Sequence, residues 1–380
     1  MKIRAGVLIV CLTACGNSAT SGTGGNPDLT PLAPTPDLSA VATPDLSFVV
    51  SPDLTQAPPD QSPSLIDLAT PDLSPAPPDL TAHDATPPPD LVIGPDLLPQ
   101  GACTGTSKFA GRIFAATSYS SPTETVWEIT NQTPVSFATV NAAGWVGPLV
   151  ITCGGKMWIA TNAFNGSLWD ISAGGDQTAA TPFAKNLFTT ISDVEGMAVD
   201  DARNFFVSNS ETATGQIAKV TPSGTVSLLP NTYNNPEGLL IVNNTLYISE
   251  GGMGRVLTHD LASGVEATFA TGFRAGSDHV SAQLTLDNGG HVFVLWSTAQ
   301  NGVGVFDITL GGDFTSKMPL IPVTTRIDVN QLGVAANDDL FYAGNGTSNA
   351  YVSHKLNGVY QPFIIFSMNL GDNETLGIGR

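Results

Sequence analysis

Basic residues are scarce in this chain: 14 Lys and Arg stand against 33 Asp and Glu over 380 residues, a formal net charge of -19. Neutralising a phosphate backbone takes clusters of Lys and Arg, so nucleic acid is excluded as a partner. Electrostatic adhesion to anionic lipid is excluded for the same reason. The five histidines are scattered without metal-ligand spacing, and no glycine loop opens a helix to cradle phosphate. Long apolar runs are missing too. The most apolar stretch, residues 5–12, is too short to span a bilayer as a mature helix.

That short stretch reads instead as a processing signal. Lys2 and Arg4 form a basic start, the apolar run follows, and Leu12-Thr13-Ala14-Cys15 ends it. The four residues resemble a bacterial lipobox, in which Cys15 becomes the lipid-bearing N-terminus after cleavage. The alternative is an ordinary signal peptide with an incidental cysteine. Lipidation would hold the chain at a membrane by acyl chains alone, and Gly16 after the anchor resembles the outer-membrane sorting pattern of some bacteria. The expected location is therefore the bacterial cell envelope, at the outer membrane. Loss of Lys2 and Arg4 with residues 1–15 takes the net charge to about -21.

Residues 16–102 are a linker. Pro-Asp-Leu recurs eight times, with aspartates at 28, 37, 45, 53, 72, 79, 90 and 96, and Phe48 is the one aromatic residue. Frequent proline favours extended backbone, and regularly spaced like charges oppose compaction. A disordered acidic spacer is the expectation.

From Cys103 onward the composition turns to Gly, Asn, β-branched and aromatic residues, and a repeat appears. Its clearest copy is Pro236-Glu237-Gly238, an apolar strand, an Asn243-Asn244 turn, a second strand Leu246-Tyr247-Ile248, a glycine-rich loop and a third strand. Aligned on Gly147, Glu195, Glu237, Ala282, Asn330 and Glu374, six copies carry an apolar residue two and four places on: Leu149/Ile151, Met197/Val199, Leu239/Ile241, Leu284/Leu286, Leu332/Val334 and Leu376/Ile378. Period-two apolar positions mark the buried face of a strand. Successive copies lie 42 to 48 residues apart, and four short strands at that period indicate a β-propeller. Outer strands are weaker and are expected at Val135–Val140, Thr225–Leu229 and Tyr360–Phe366. The domain 103–380 begins at a second strand and ends on an orphan first strand, Thr375 to Ile378. Its sixth blade is therefore complete only when the C-terminal strand joins the N-terminal three. The predicted fold is all-β, a closed six-bladed propeller of four-stranded antiparallel blades; an open or seven-bladed ring is the runner-up. Cys103 and Cys153 fall in adjacent blades on one face, so a disulfide bracing the seam is expected.

Inner strands line the channel of a propeller, so the six alignment positions should ring one mouth. Glu195, Glu237 and Glu374 bring carboxylates there and Asn330 an amide. Asn209, with Asn162, Glu250 and Asn345, arrives at the ends of the second strands. Hard oxygen donors of this kind suit Ca²⁺, and three crowded carboxylates call for a compensating cation. The alternative is a solvated mouth whose polar residues avoid burial.

Pro236-Glu237-Gly238-Leu239 with Leu246-Tyr247-Ile248-Ser249, and Val194-Glu195-Gly196-Met197 with Phe206-Val207-Ser208, resemble the repeats of NHL propellers and of the SMP-30/gluconolactonase (LRE-like) family. The second resemblance implies a divalent cation on the axis, with Glu195, Glu237 and Glu374 among its ligands. The chain departs from it where the metal-binding, base-forming Asp is expected, since Ala282 and Asn330 stand there. Asp278 and His279, just upstream, are the candidates to act as base in its place. Two functions follow. The first is a membrane-anchored extracytoplasmic module that binds a small molecule or an extracellular or periplasmic protein, touching the membrane through its anchor alone and acting as a monomer. The second is a Ca²⁺-dependent lactonase or ester hydrolase.

Overall fold

The computed structural model describes residues 107–379, except 118–121, 144–145, 153, 192, 212, 276–281, 299–301, 324–327, 346–348 and 368–372. The side chains of 297–298, 328–330, 344–345 and 373–374 are also outside the description. The proposed anchor Cys15, the linker, Cys103, Cys153, Asp278 and His279 all lie outside the described residues.

The domain is an all-β six-bladed propeller. Blade II is built from Val146–Thr152, Lys156–Thr161, Ser167–Asp170 and Ala184–Lys185. Blade III follows with Val194–Val199, Phe205–Asn209, Gln216–Val220 and Val226–Leu228. Blade IV uses Pro236–Val242, Thr245–Glu250, Arg255–Asp260 and Glu266–Thr271. Blade V uses Gln283–Leu286, Val292–Thr298, Gly302–Asp307 and Ile321–Pro322. Blade VI uses Asp328–Val334, Leu340–Asn345, Ala350–Ser353 and Ile364–Ser367.

Blade I is the split one. Its inner strand is the C-terminal Asn373–Ile378, paired antiparallel with Ile113–Thr117 from Ile113↔Ile378 to Thr117↔Asn373. Thr123–Glu128 and Val135–Asn141 complete it. The closure expected from the two chain ends is thus present, and it removes an edge at each of them.

Each blade buries its faces against its neighbours. The six apolar clusters each straddle one junction between blades. Phe109, Phe114, Leu149 and Trp169 join I to II, while Ile113, Phe341, Val352 and Leu376 join VI back to I. A lone four-stranded sheet exposes too much apolar surface to persist, so the ring is the unit of stability.

The inner strands share a local irregularity at the alignment positions. In blade III two residues, Glu195 and Gly196, lie between the pairs Val194↔Asn209 and Met197↔Val207. Blades I, II, IV and VI shift register at the equivalent place. The glycine following the glutamate is there for space. A Cβ on Gly196 would lie 2.1 Å from the Glu237 carbonyl oxygen, and one on Gly238 2.3 Å from that of Ala282. Ser208 and Ser249 use this close approach: each accepts the N–H of that glycine and donates to the next blade's inner-strand carbonyl, of Glu237 and Ala282 respectively.

One outer strand departs from expectation. Tyr360–Phe366 is not continuous. Val359–Tyr360 pairs with Lys355–Leu356 in a separate hairpin, and the outer strand begins at Ile364. Pro362 between them lacks the N–H that a ladder needs. Short outer strands at Ala184–Lys185, Glu266–Thr271 and Ile321–Pro322 complete the blades for which none was predicted.

Candidate functional site

The channel mouth is built from the start of each inner strand and the end of each second strand. Glu237 sits there, buried, with Oε1 accepting Asn235 Nδ2 at 2.6 Å and Oε2 accepting the Ala282 N–H at 2.5 Å. Burial pushes its carboxyl up to about 8, against the Ala282 N–H, which pulls it down. Asn209 is buried as well, taking the Asp193 N–H on Oδ1 and donating Nδ2 to the Thr190 carbonyl. Asn162 bridges blades II and III by accepting the Val194 N–H and donating to Asp193 Oδ1. Glu250 accepts the Asn234 N–H and pairs with Arg255 at 2.5 Å. Glu195 is half-buried and has a partner of its own. The strands place Asn330 and Glu374 at the same irregularity, in blades VI and I.

Two glutamines cross the channel. Gln283 of blade V donates to the Glu195 carbonyl of blade III at 3.4 Å, and Gln331 of blade VI to the Leu149 carbonyl of blade II at 3.3 Å. Each skips the blade between. Gln331 also accepts the Leu376 N–H at 2.9 Å and the Thr375 hydroxyl, knitting the closing strand into the floor.

The oxygens of Glu237, Asn209, Asn162 and Glu250 already face N–H donors of the protein. Among the described residues no three His, Cys, Asp or Glu side chains gather as a metal-holding group.

A different site, which the repeat alignment does not reveal, lies on the opposite face between blades II and III. It is a cleft of about 470 Å³. Val150, Trp158, Phe183, Val199 and Phe205 form its floor, and Lys156, Asp200, Asp201 and Arg203 its rim. Trp158 packs against Phe183 at 5.0 Å and Phe205 at 4.7 Å between ring centroids. Lys156 is tied to Asp170 at 2.6 Å, and Asp200 accepts both the main-chain and side-chain N–H groups of Asn204. Asp201 and Arg203 are exposed on the same turn, and their side chains have no partner among the described residues. The sequence signal was present, since Asp200-Asp201-Ala202-Arg203 is the most charged of the first hairpin turns, but its apposition to Lys156 is a product of ring packing.

A third cluster joins blades V and VI on that same side. Buried Asp287 accepts His291 Nδ1 at 2.9 Å and Lys355 Nζ at 3.0 Å, and Lys355 also reaches Asp338 at 3.2 Å. Asp339 accepts His354 Nδ1 at 2.8 Å. Burial, which raises a carboxyl, is outweighed at Asp287 by the bonds from His291 and Lys355, and its pKa is lowered. Lys355 is likewise held charged, its bonds to Asp287 and Asp338 outweighing burial. Asp287 and Lys355, held in their charged forms, clamp two blades together and are not poised to exchange a proton near neutrality. Read along the chain, His291 and His354 look unconnected; packing brings them to one junction.

No protein-family model and no curated protein matches the chain. Solved structures do resemble it. A chain of the nidogen/laminin complex matches at 12% identity over 71% of this chain and 98% of its own, with a TM-score of 0.49. The PQQ-bound aldose sugar dehydrogenase of Streptomyces coelicolor matches at 13% identity over 63% and 87%, with a TM-score of 0.46. A streptogramin B lyase matches at 13% over 72% and 90%, with a TM-score of 0.43. The likeness is one of fold.

Proposed function

We propose that this chain is a ligand-binding module, held at the bacterial envelope by a lipid on Cys15 and carried away from the membrane by the Pro-Asp-Leu segment. Its ligand enters the cleft between blades II and III. The observation that carries this reading is the pairing of an apolar, aromatic floor with two unpartnered rim charges of opposite sign, Asp201 and Arg203. A cavity of about 470 Å³ is the size of a small-molecule site. Its floor would take the apolar body of a ligand, and its rim a polar or zwitterionic edge. At the mouth, by contrast, Glu237 and Glu250 accept N–H groups of the protein itself.

The test is a thermal-shift screen of small amphipathic compounds on the intact chain, repeated on Val199→Arg, which fills the cleft, and on Arg203→Ala. Hits should lose their stabilising effect in Val199→Arg and be weakened in Arg203→Ala. Hits that stabilise Val199→Arg as well as the parent would place binding elsewhere and defeat the proposal. Turnover of a small-lactone panel, abolished by EDTA, would replace it with the hydrolase. The anchor has its own readout: Cys15→Ser should abolish incorporation of a labelled fatty acid and release the protein from the membrane fraction.

A further inference from the structure

The described residues begin beside the cleft. Ser107 lies against the tip of the first hairpin of blade II: a Cβ on Gly155 would stand 3.5 Å from its Oγ and 3.7 Å from the Lys108 nitrogen. Lys108 Nζ donates to the Ser172 carbonyl at 2.6 Å, and Phe109 is buried between blades I and II, so this point of entry is fixed. Gly154 and Lys156, on either side of Gly155, both line the cleft. A Cβ on Gly154 would meet nothing within 4 Å, which leaves the tip of the hairpin clear for a chain to cross. Whatever precedes Ser107 is delivered one hairpin turn away from the cavity.

The preceding segment has the chemistry to enter it. Residues 16–106 hold 11 aspartates and no Lys, Arg or Glu. The last Pro-Asp-Leu copy stands within Leu91-Val92-Ile93-Gly94-Pro95-Asp96-Leu97-Leu98, five aliphatic side chains around one aspartate. Leu97 is ten residues before Ser107. Extended, ten residues reach about 33 Å, several times the width of a cavity of about 470 Å³. The floor of Val150, Phe183, Val199 and Phe205 suits aliphatic side chains. On the rim Lys156 is held by Asp170, whereas the Arg203 guanidinium is free to take both oxygens of a carboxylate. Asp201 is left to accept main-chain N–H groups of the segment.

We propose that residues 91–98 occupy the cleft between blades II and III in cis, with Leu97 on the apolar floor and Asp96 on Arg203, so that any other ligand must displace the chain's own segment. The inference rests on the reading of that cleft as the binding site. A short tether holds the segment at a local concentration on the order of millimolar. A contact too weak to matter between separate molecules then fills the cavity, and still yields to a better ligand.

The probe is the segment as a free fluorescent peptide, Leu-Val-Ile-Gly-Pro-Asp-Leu-Leu. It is titrated onto two intact chains, the parent and one carrying Leu91→Ser, Val92→Ser, Ile93→Ser, Leu97→Ser and Leu98→Ser together. Saturable binding is expected to both, at least about threefold tighter to the serine chain, whose cleft has lost its competitor. Without peptide, amide exchange at 199–205 should be slower in the parent than in the serine chain. Arg203→Glu, on an exposed turn, should weaken the peptide by about two- to fivefold, and lysine in place of the peptide's aspartate should reverse that preference. Equal affinity for the parent and the serine chain overturns the proposal while leaving the cleft as a site. Absence of saturable binding to the serine chain overturns it too, as does protection by the peptide outside 150–152, 156–158 and 199–205. A concentration-dependent dimer lost in the serine chain would make the occupant a second copy's segment, and likewise overturns it. The small-molecule screen on Val199→Arg judges the cleft itself, so the two readings fail separately.

Discussion

Glu237 is a buried carboxylic acid, and its energetics depend on pH. Its pKa is raised from an ordinary 4.5 to about 8 by burial. Between those values the folded chain holds a proton that the unfolded chain has lost, so stability falls as pH rises through the window. The slope contributed by one such group approaches about 1.4 kcal/mol per pH unit. Glu237→Gln keeps the acceptor for Asn235 or Ala282 and removes the charge. Denaturation midpoints of this variant should therefore lose the decline between pH 5 and about 8 that the parent shows. Equal slopes in both proteins would mean that the carboxyl is solvated or matched by a cation. The residue's position was legible from the repeat, whereas its burial was not. The donor that holds Oε2, the Ala282 N–H, lies 45 positions along the chain.

At the scale of elements, the turn after the third strand does more than the strands announce. An acidic residue, Ile and Ser or Thr recur as Glu128-Ile129-Thr130, Asp170-Ile171-Ser172 and Asp307-Ile308-Thr309. The isoleucines are fully buried. The hydroxyl of the third residue accepts the N–H of Ile113, Met157 and Val292 beside it, satisfying a donor the ladder leaves open. Two copies continue into Gly-Gly-Asp, whose second glycine and aspartate pair as a short parallel strand with the outer strand of the preceding blade. Gly311→Ala places a Cβ 2.5 Å from the Phe269 carbonyl, at a φ of 63°, and should cost about 1–3 kcal/mol. Chemical denaturation checks this; Leu310→Ala, at the exposed position just before it, has no such contact to break. The shared spelling of these turns could be seen in the sequence, but alignment on the inner strands directs attention away from them. What they cover became visible only when the fourth strand of the preceding blade was in place.

The molecule as a whole is a ring closed by one strand. Asn373–Ile378 completes blade I, donates the Thr375 hydroxyl to Gln331, and accepts the Leu149 N–H on the same oxygen at 3.0 Å. Removing residues 373–380 exposes an inner edge and opens the apolar cluster shared by blades VI and I. The truncated chain should lose its cooperative thermal transition, and a peptide of residues 371–380 should restore part of it. A truncated protein that melts like the parent would show that blade I stands on three strands.

The number of blades and the manner of closure were determined by sequence alone. Inner-strand alternation, Asn and Gly turns, a start at a second strand and an orphan first strand at the C-terminal end are local signals, and a strand's buried face is set by period two wherever the strand lies. Contacts between blades were decided by tertiary structure. Asp201 and Arg203 come to line one cleft with Lys156, Lys355 meets Asp287 from 68 positions away, and Gln283 and Gln331 reach past a blade to the Glu195 and Leu149 carbonyls. Each depends on how neighbouring sheets rotate and press together, which no single repeat encodes. A repeat specifies its own strands; the ring specifies what their side chains meet.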